Sequence, residues 1–537
     1  MTARRIAPDE WRWVLIGSLA VLLFASLPVL YAWSLADASH VFSGFVYNTE
    51  DGNSYIAKMR LGASGEWLFQ LPFTTESHPK AWLYSFHILL GKLGAGLGLS
   101  LRVTYHLARV ILGLCLLLTI YHFIARFVRD VSTRRLAWVL IAIGSGLGWL
   151  LTALGAVQWL GDLPLDFWVP EAYVFLVLYS LPHLALAETA LLWTFLWLLE
   201  AFATGKAKYA LLSGVSTLVV TIIVPFYPAV LGTVLGFYLL MLALQQRRIP
   251  WREAGLTVLA GLFAVPVVAY TFWLTSTEPV YSTWSNQLHI LSPHPLHYLL
   301  GYAPLLVPAV WGLKELINGK RKKDNEPSIS QTWFLPFAWL LAAPVLAYLP
   351  FISQRRLIVL AQVPLSMLAA VGLRTWFGEK FWAYGAYVMT ASLSILFLVL
   401  GSLEPITQRE VPVYRPGAEV AAMVWLDAHA EAGQAVLASL EVGKAIPAWT
   451  DLRAFAGHGP ETLYSGNKQE MIYRFFGSQA DDAWRQSLLH DFGVDYVFHG
   501  PQEKAMGDWD PAFVDFLIPI YEEGGYAIYQ APGLERP

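Results

Sequence analysis

The hydrophobic positions fall into long unbroken runs rather than narrow stripes. Runs at 13–33, 104–125, 135–154, 184–203, 208–224, 227–245, 253–275, 296–313, 331–349, 357–373 and 381–402 each read as an apolar helix. An apolar helix of about 20 residues crosses the roughly 30 Å hydrocarbon layer of a bilayer. The pattern therefore predicts about eleven transmembrane helices in an α-helical polytopic membrane domain covering residues 1–403.

Two stretches break the pattern. The first is the segment 34–103, with the polar sequence Asn48-Thr-Glu-Asp-Gly-Asn-Ser-Tyr-Ile-Ala-Lys-Met-Arg60 at its centre. Within it, residues 81–98 are aromatic and amphipathic, with Lys92 inside and four glycines over 91–98. This piece is expected to lie in the membrane interface rather than to cross. The second stretch is 404–537, where helical and strand periods alternate. Pro416–Ala432, Asn467–Phe476 and Asp481–Phe492 read as helices. Gln434–Ser439, Val494–His499, Ile518–Tyr521 and Tyr526–Gln530 read as strands, the last two as a hairpin. The alternation predicts a small α/β domain.

Charge sharpens both boundaries. Only 14% of the residues are charged, against 56% hydrophobic. Residues 1–403 hold 27 Lys and Arg against 19 Asp and Glu, and residues 404–537 hold 9 against 20. The seam near Glu404-Pro405 thus separates a membrane regime from an aqueous one. No basic stripe with interleaved aromatics suggests nucleic-acid binding.

Basic residues also orient the chain, because loops rich in Lys and Arg stay in the cytoplasm. Arg4, Arg5 and Arg12 precede the first run, so that helix runs outward. If 81–98 lies flat, Arg126–Arg135, Lys206/Lys208, Arg247/Arg248/Arg252, Lys314 with Lys320–Lys323, and Arg374/Lys380 all fall inside. The loops 155–183, 225–228 and 276–296 then fall outside, and none holds Lys or Arg. The segment 34–103 becomes the first external loop, and 404–537 an external domain.

The single cysteine, Cys115, sits in an apolar run, so no disulfide and no cysteine metal site can form within the chain. It reads as a small core or lipid-facing residue. The external candidates are acids and cations. Glu50 and Asp51 are adjacent, and Tyr55 shares a face with Asp51 if 50–60 is helical. Lys58, Arg60, Glu76, His78 and Lys80 follow in the same loop. The loop 155–183 adds Glu171 and His183, and Glu188 enters the next run at membrane depth, where carboxylates usually face a cavity or a partner. Ser353-Gln-Arg-Arg356 places Arg355 and Arg356 at an outer face, either snorkelling to headgroups or clamping a phosphate. Gly457-His-Gly-Pro460 reads as a turn whose histidine is structural.

Glu50-Asp51-Gly-Asn-Ser-Tyr55 just beyond an outward helix, followed by His78-Pro-Lys-Ala-Trp-Leu-Tyr84, resembles the GT-C membrane glycosyltransferases. Protein O-mannosyltransferases, aminoarabinose transferases and oligosaccharyltransferases belong to that group. The resemblance implies an acidic catalytic residue in the first external loop, flat helices after it and a many-helix bundle. It further implies a polyprenyl-phosphate sugar donor, an inverting transfer, and a glycan, lipid or protein acceptor. Asp51 then becomes the base, with Glu50 as its alternate. Tyr55, Lys58, Arg60, Glu76, His78, Lys80, Glu171, His183, Arg355 and Arg356 become substrate contacts. No metal site is assigned; a divalent metal stays open as a cofactor, and Glu76 and His78 either orient the acceptor or bind a metal. The implied location is a bacterial inner membrane with a periplasmic C-terminal domain. A transporter or lipid flippase, or a non-catalytic scaffold, is the alternative. A transporter would show charged or broken helices at mid-membrane.

Overall fold

The computed structural model describes residues 6–321 and 331–531. Lys322 and Lys323 of the basic cluster expected in the cytoplasm lie outside the described residues. The chain divides into two compact units. One is built from residues 1–27, 106–271 and 289–401; the other from 28–105, 272–288 and 402–537.

The first unit is helical. A helix forms over every apolar run, for the elementary reason that a backbone in an apolar setting must satisfy its own N–H and C=O groups. Among the described residues, five helices can cross a membrane by length and composition: Pro8–Leu35, Leu101–Phe127, Pro182–Thr204, Tyr227–Gln246 and Pro295–Ile317. Two bent pairs raise the number to seven. Trp251–Gly261 with Val265–Thr277 bends by 52°, and Phe381–Ala391 with Leu393–Thr407 by 45°. The helix Pro182–Thr204 shows sequence logic at both ends. Pro182 occupies the first turn, where no N–H is needed, and Gly205 closes the last at φ 69°.

The helix expected over 135–154 is broken into Val131–Ala142 and Gly148–Ala153. A side chain at Gly146 would run into the Gly301 backbone, so the chain opens there to let another helix approach. The buried Gln362 amide donates to the carbonyls of Leu140 and Gly144 at 3.2 and 3.0 Å. The stretch expected as the loop 155–183 is helical in pieces, and every residue of Val174–Ser180 is buried.

The second unit contains both stretches that broke the apolar pattern. The acidic sequence is a helix, Thr49–Ala63. The segment 81–98 contains a helix, Ser85–Gly96. Twelve residues rise only about 18 Å, too short to span. The two helices meet through Gly62 and Gly91, each against the other's backbone.

Among the described residues, seven short strands complete the second unit: β1 (His40–Phe42), β2 (Tyr414–Pro416), β3 (Ala435–Leu437), β4 (Arg453–Ala454), β5 (Tyr496–His499), β6 (Ile518–Glu523) and β7 (Tyr526–Gln530). Strands β1 and β2 pair antiparallel. The other five form a sheet in the order β4-β3-β5-β7-β6. Strand β3 runs parallel to β4 and β5, and β7 antiparallel to β5 and β6. The β6–β7 turn is Gly524-Gly525, both with positive φ.

This sheet explains why its strands read as continuous apolar runs. Val436, Tyr496, Phe498 and Ile528 pack on one face with Met423 and Leu426 of helix Gly417–His429. Their neighbours Leu437, Val497, Ala527 and Tyr529 pack on the other with Ile472, Phe475 and Leu488 of helices Ser465–Phe476 and Asp482–Asp491. Side chains alternate faces along a strand, and both faces are covered. The 34–103 segment covers the sheet edge. Phe73 joins the first face, Ala454 donates to Pro72 O at 2.9 Å, and Arg453 to Thr75 O at 3.1 Å. An edge strand left open would be a template for wrong pairing.

Candidate functional site

The site grows from the first turn of helix Thr49–Ala63. Asn48 precedes it in a left-handed conformation, φ 51°, and its side-chain amide donates to Asp51 Oδ2. Glu50 and Asp51 both fall in the first turn, where free N–H groups and the helix dipole favour negative charge. Asp51 is 37% exposed and Glu50 36%, so solvent or a substrate can reach both carboxylates.

The second half of the site is the turn Gly457-His-Gly-Pro-Glu461. His458 Nε2 lies 2.8 Å from Asp51 Oδ1. The Glu461 amide donates to His458 Nδ1 at 3.3 Å, which puts the proton of the neutral ring on Nε2, facing Asp51. The histidine expected to be merely structural therefore orients the acid. Burial alone would lower the His458 pKa, but the Glu461 and Asp51 carboxylates outweigh it and hold the imidazole above its ordinary range. The adjacent Gly459 amide donates to Glu50 Oε1 at 2.8 Å, and Lys444 Nζ stands 3.4 Å from Glu50 Oε2.

Under this turn lies a buried ion pair. Lys58 Nζ is 2.5 Å from Glu461 Oε1, and Ser54 Oγ donates to the same oxygen at 2.8 Å. Both charged side chains are almost wholly buried. Burial would raise the Glu461 carboxyl; the Lys58 ammonium reverses this and holds it below the usual carboxylate range. Lys58 also sits 4.1 Å over the Tyr84 ring. Tyr55, one turn past Asp51, stacks on His87 with ring centres 4.7 Å apart.

The remaining candidates in this unit are tied into the scaffold. Arg60 bridges Asp451 and Asp427 at 2.9 and 2.8 Å. Glu76 pairs with the buried Lys468 at 2.8 Å. His78 spends both ring nitrogens on backbone, accepting from Leu71 N at 3.0 Å and meeting Glu76 O at 2.7 Å. Lys80 pairs with Glu66 at 2.8 Å on the surface. Among the described residues, no group of three or more His, Cys, Asp or Glu is placed to hold a metal ion.

Four candidates belong to the first unit. Glu171 is buried, and Arg356 Nε stands 3.5 Å from its carboxylate. The Arg355 guanidinium stacks 3.8 Å above the Trp168 ring. His183 sits in the first turn of helix Pro182–Thr204, and Glu188 is fully buried one turn later, with no hydrogen bond to either carboxylate oxygen.

The sequence reads His458 as structural and does not single out Glu461 or Lys444. The signal for the first two was the turn itself, where two glycines and a proline surround a histidine and a glutamate.

No family model matches the chain. No curated protein matches it by sequence. Solved structures do match. A structure of the mycobacterial arabinofuranosyltransferase AftD aligns with 99% of the chain at 15% identity and a TM-score of 0.55. The apo oligosaccharyltransferase of Archaeoglobus fulgidus aligns with 98% at 13% identity and a TM-score of 0.50. The chain spans 42% of the AftD structure's length and 75% of the oligosaccharyltransferase's. The fold is that of the GT-C membrane glycosyltransferases.

Proposed function

We propose that this chain with the GT-C fold is a membrane glycosyltransferase that moves a sugar from a polyprenyl-phosphate donor to an acceptor hydroxyl, with Asp51 as the base. The observation that carries the proposal is the half-exposed Asp51 carboxylate, held on one oxygen by Asn48 and on the other by buried His458. A base must reach the proton it takes, and a fixed carboxylate on a helix N-terminus meets that demand.

The step is a single displacement. Asp51 accepts the acceptor's hydroxyl proton as that oxygen bonds to the anomeric carbon. The bond from that carbon to the phosphate oxygen breaks, and the lipid phosphate leaves with the electron pair. Attack opposite the leaving group inverts the anomeric centre. His458 does not touch substrate; its N–H stabilises the ionised carboxylate and fixes its direction. Glu50, which meets the Gly459 amide and the Lys444 ammonium, is the alternate base. Charge developing on the departing phosphate needs cations. Arg355 and Arg356 are the proposed clamp, supported by arginine's fit to phosphate. Lys58, Arg60 and Lys80 are held by carboxylates at 2.5–2.9 Å, closer than the 3.5 Å between Arg356 and Glu171, which argues against their serving that role.

The proposed setting is a bacterial inner membrane, with about eleven crossings and residues 404–537 forming a periplasmic domain. The acceptor is a glycan, lipid or protein. In a Cys115→Ser background, cysteines at Lys208 and Glu470 should label from opposite faces; labelling from one face refutes the topology.

The central test uses purified protein, a polyprenyl-phosphate sugar and candidate acceptors. Asp51→Asn should lower turnover by about 10²–10⁴-fold, the scale of general-base loss. Donor binding should persist, since the lost charge faces the acceptor. An Asp51→Asn enzyme working at the wild-type rate removes Asp51 as the base.

A further inference from the structure

The first unit carries a cavity that the glycosyl-transfer chemistry does not use. Its volume is about 940 Å³, within the range of small-molecule sites. It lies where helices Pro182–Thr204 and Tyr227–Gln246 end and helix Trp251–Gly261 begins. The buried side chains of Phe202, Tyr238 and Leu242 form an apolar part of its wall, beside the polar Gln246, Gln331 and Thr332. Its rim is basic, from Arg126, Arg248 and Arg252.

These three arginines differ in what already engages them. Arg126 stands 3.8 Å from Glu200. Arg252 bridges Glu253 at 2.8 Å and the Phe202 carbonyl at 2.7 Å, closing the end of its neighbouring helix. Arg248 is exposed and forms no ion pair among the described residues; its bond to Gln246 is 3.4 Å long. Two carboxylates thus offset three guanidiniums, and the uncompensated one projects at the mouth. Beside it, Ile249 and Trp251 are 57% and 74% exposed. An exposed tryptophan and isoleucine flanking arginine mark the boundary between acyl chains and headgroups.

A ligand that suits this cavity needs one anionic group for the rim and an apolar stem for the wall. A free anion leaves Phe202, Tyr238 and Leu242 uncovered. An uncharged or zwitterionic lipid leaves Arg248 without a net partner. We propose that the cavity binds an anionic phospholipid, its phosphate held by Arg248 with Arg126 and Arg252, and its first acyl carbons along the apolar wall. Residues Arg126, Arg248 and Arg252 all fall in segments that the sequence assigns to the cytoplasmic side, where anionic lipids concentrate. The proposal is independent of Asp51 and of any transfer reaction.

Native mass spectrometry of the purified full chain, titrated with phosphatidylglycerol or phosphatidylcholine, tests it. The expected result is one phosphatidylglycerol held about ten-fold more tightly than phosphatidylcholine. Arg248→Glu should weaken phosphatidylglycerol by roughly ten-fold and leave phosphatidylcholine unchanged. Arg248 is exposed and outside the transfer site, so the fold should survive. Ala203→Trp, which fills the cavity without changing charge, should expel the bound lipid. Equal affinity for the two lipids overturns the proposal, as does retention of phosphatidylglycerol by either variant. Displacement of the lipid by inorganic phosphate at the same concentration also overturns it, because the site would then read only the anion.

Discussion

His458 and Asp51 stand 407 positions apart in the chain and 2.8 Å apart in the fold. The bond brings the acidic helix of the 34–103 segment and the turn after strand β4 into one site, inside one compact unit. A carboxylate in solution samples many directions. This one is fixed by a ring that is itself fixed by the Glu461 amide. Orientation of a base by a second group is what separates a catalytic acid from a solvated one.

His458→Gln should therefore slow transfer without abolishing it. Glutamine keeps a donor but loses the ring's reach, and Asp51 keeps its charge. A drop of about 10–100-fold in kcat with little change in the donor's KM is expected, smaller than for Asp51→Asn. In the double variant the two losses should not add, because both act on one proton transfer. Additive losses would show that His458 acts apart from Asp51.

The same contact gives the unit a pH dependence. The folded His458 pKa is raised above the ordinary 6.5, since Glu461 and Asp51 outweigh burial. A raised histidine contributes stability fully below its unfolded pKa and loses it as pH climbs through the folded value. Thermal unfolding of the wild type should thus fall in midpoint as pH rises from about 6.5 through the raised folded value. His458→Gln should flatten that slope. An unchanged slope in the variant would place the titration elsewhere.

Much of this was legible in the sequence. The α/β pattern of 404–537 was visible because β3, β5 and β7 are short apolar runs between amphipathic helices. The acidic stretch was read as a loop, and only if helical would it put Asp51 and Tyr55 on one face; it is the helix Thr49–Ala63. Partners were not visible. Lys58 and Arg60 look like free cations beside an acid, yet Glu461, Asp451 and Asp427 meet them from about four hundred residues away. Periodicity cannot report such tertiary pairing. The break at Gly144–Gly146 was hidden for a related reason: an apolar run looks continuous until a second helix needs the space.

The two helices of the 34–103 segment should tolerate no side chain at their crossing. A Cβ on Gly91 would enter the van der Waals shell of the Met59 carbonyl oxygen, and one on Gly62 that of Ile88. Both obstacles are backbone, so no rotamer change relieves them. Gly91→Ala should destabilise the fold by on the order of 3 kcal/mol. Gly96→Ala, on the same helix with open space around it, should be neutral or mildly stabilising. Thermal shift of the two purified variants checks the contrast, and equal midpoints would refute the close crossing.

The Lys58–Glu461 pair makes the sharpest claim about what is scaffold and what is chemistry. Both groups are buried, so each charge is compensated by the other. Removing one leaves an uncompensated charge, at a cost of about 3–5 kcal/mol. Glu461→Gln and Lys58→Met should each lower the unfolding midpoint strongly. The Lys58→Met, Glu461→Gln double variant should recover most of the loss, since neither charge then remains to be paid for. Recovery of stability should come with partial activity. Asp51 and His458 stay in place, but the Glu461 carboxylate no longer supports the imidazole's charge, so the pH profile of turnover should shift to lower pH. A double variant no more stable than its worse single parent would break the pairing argument. One with wild-type stability but reduced donor affinity would return Lys58 to the phosphate site.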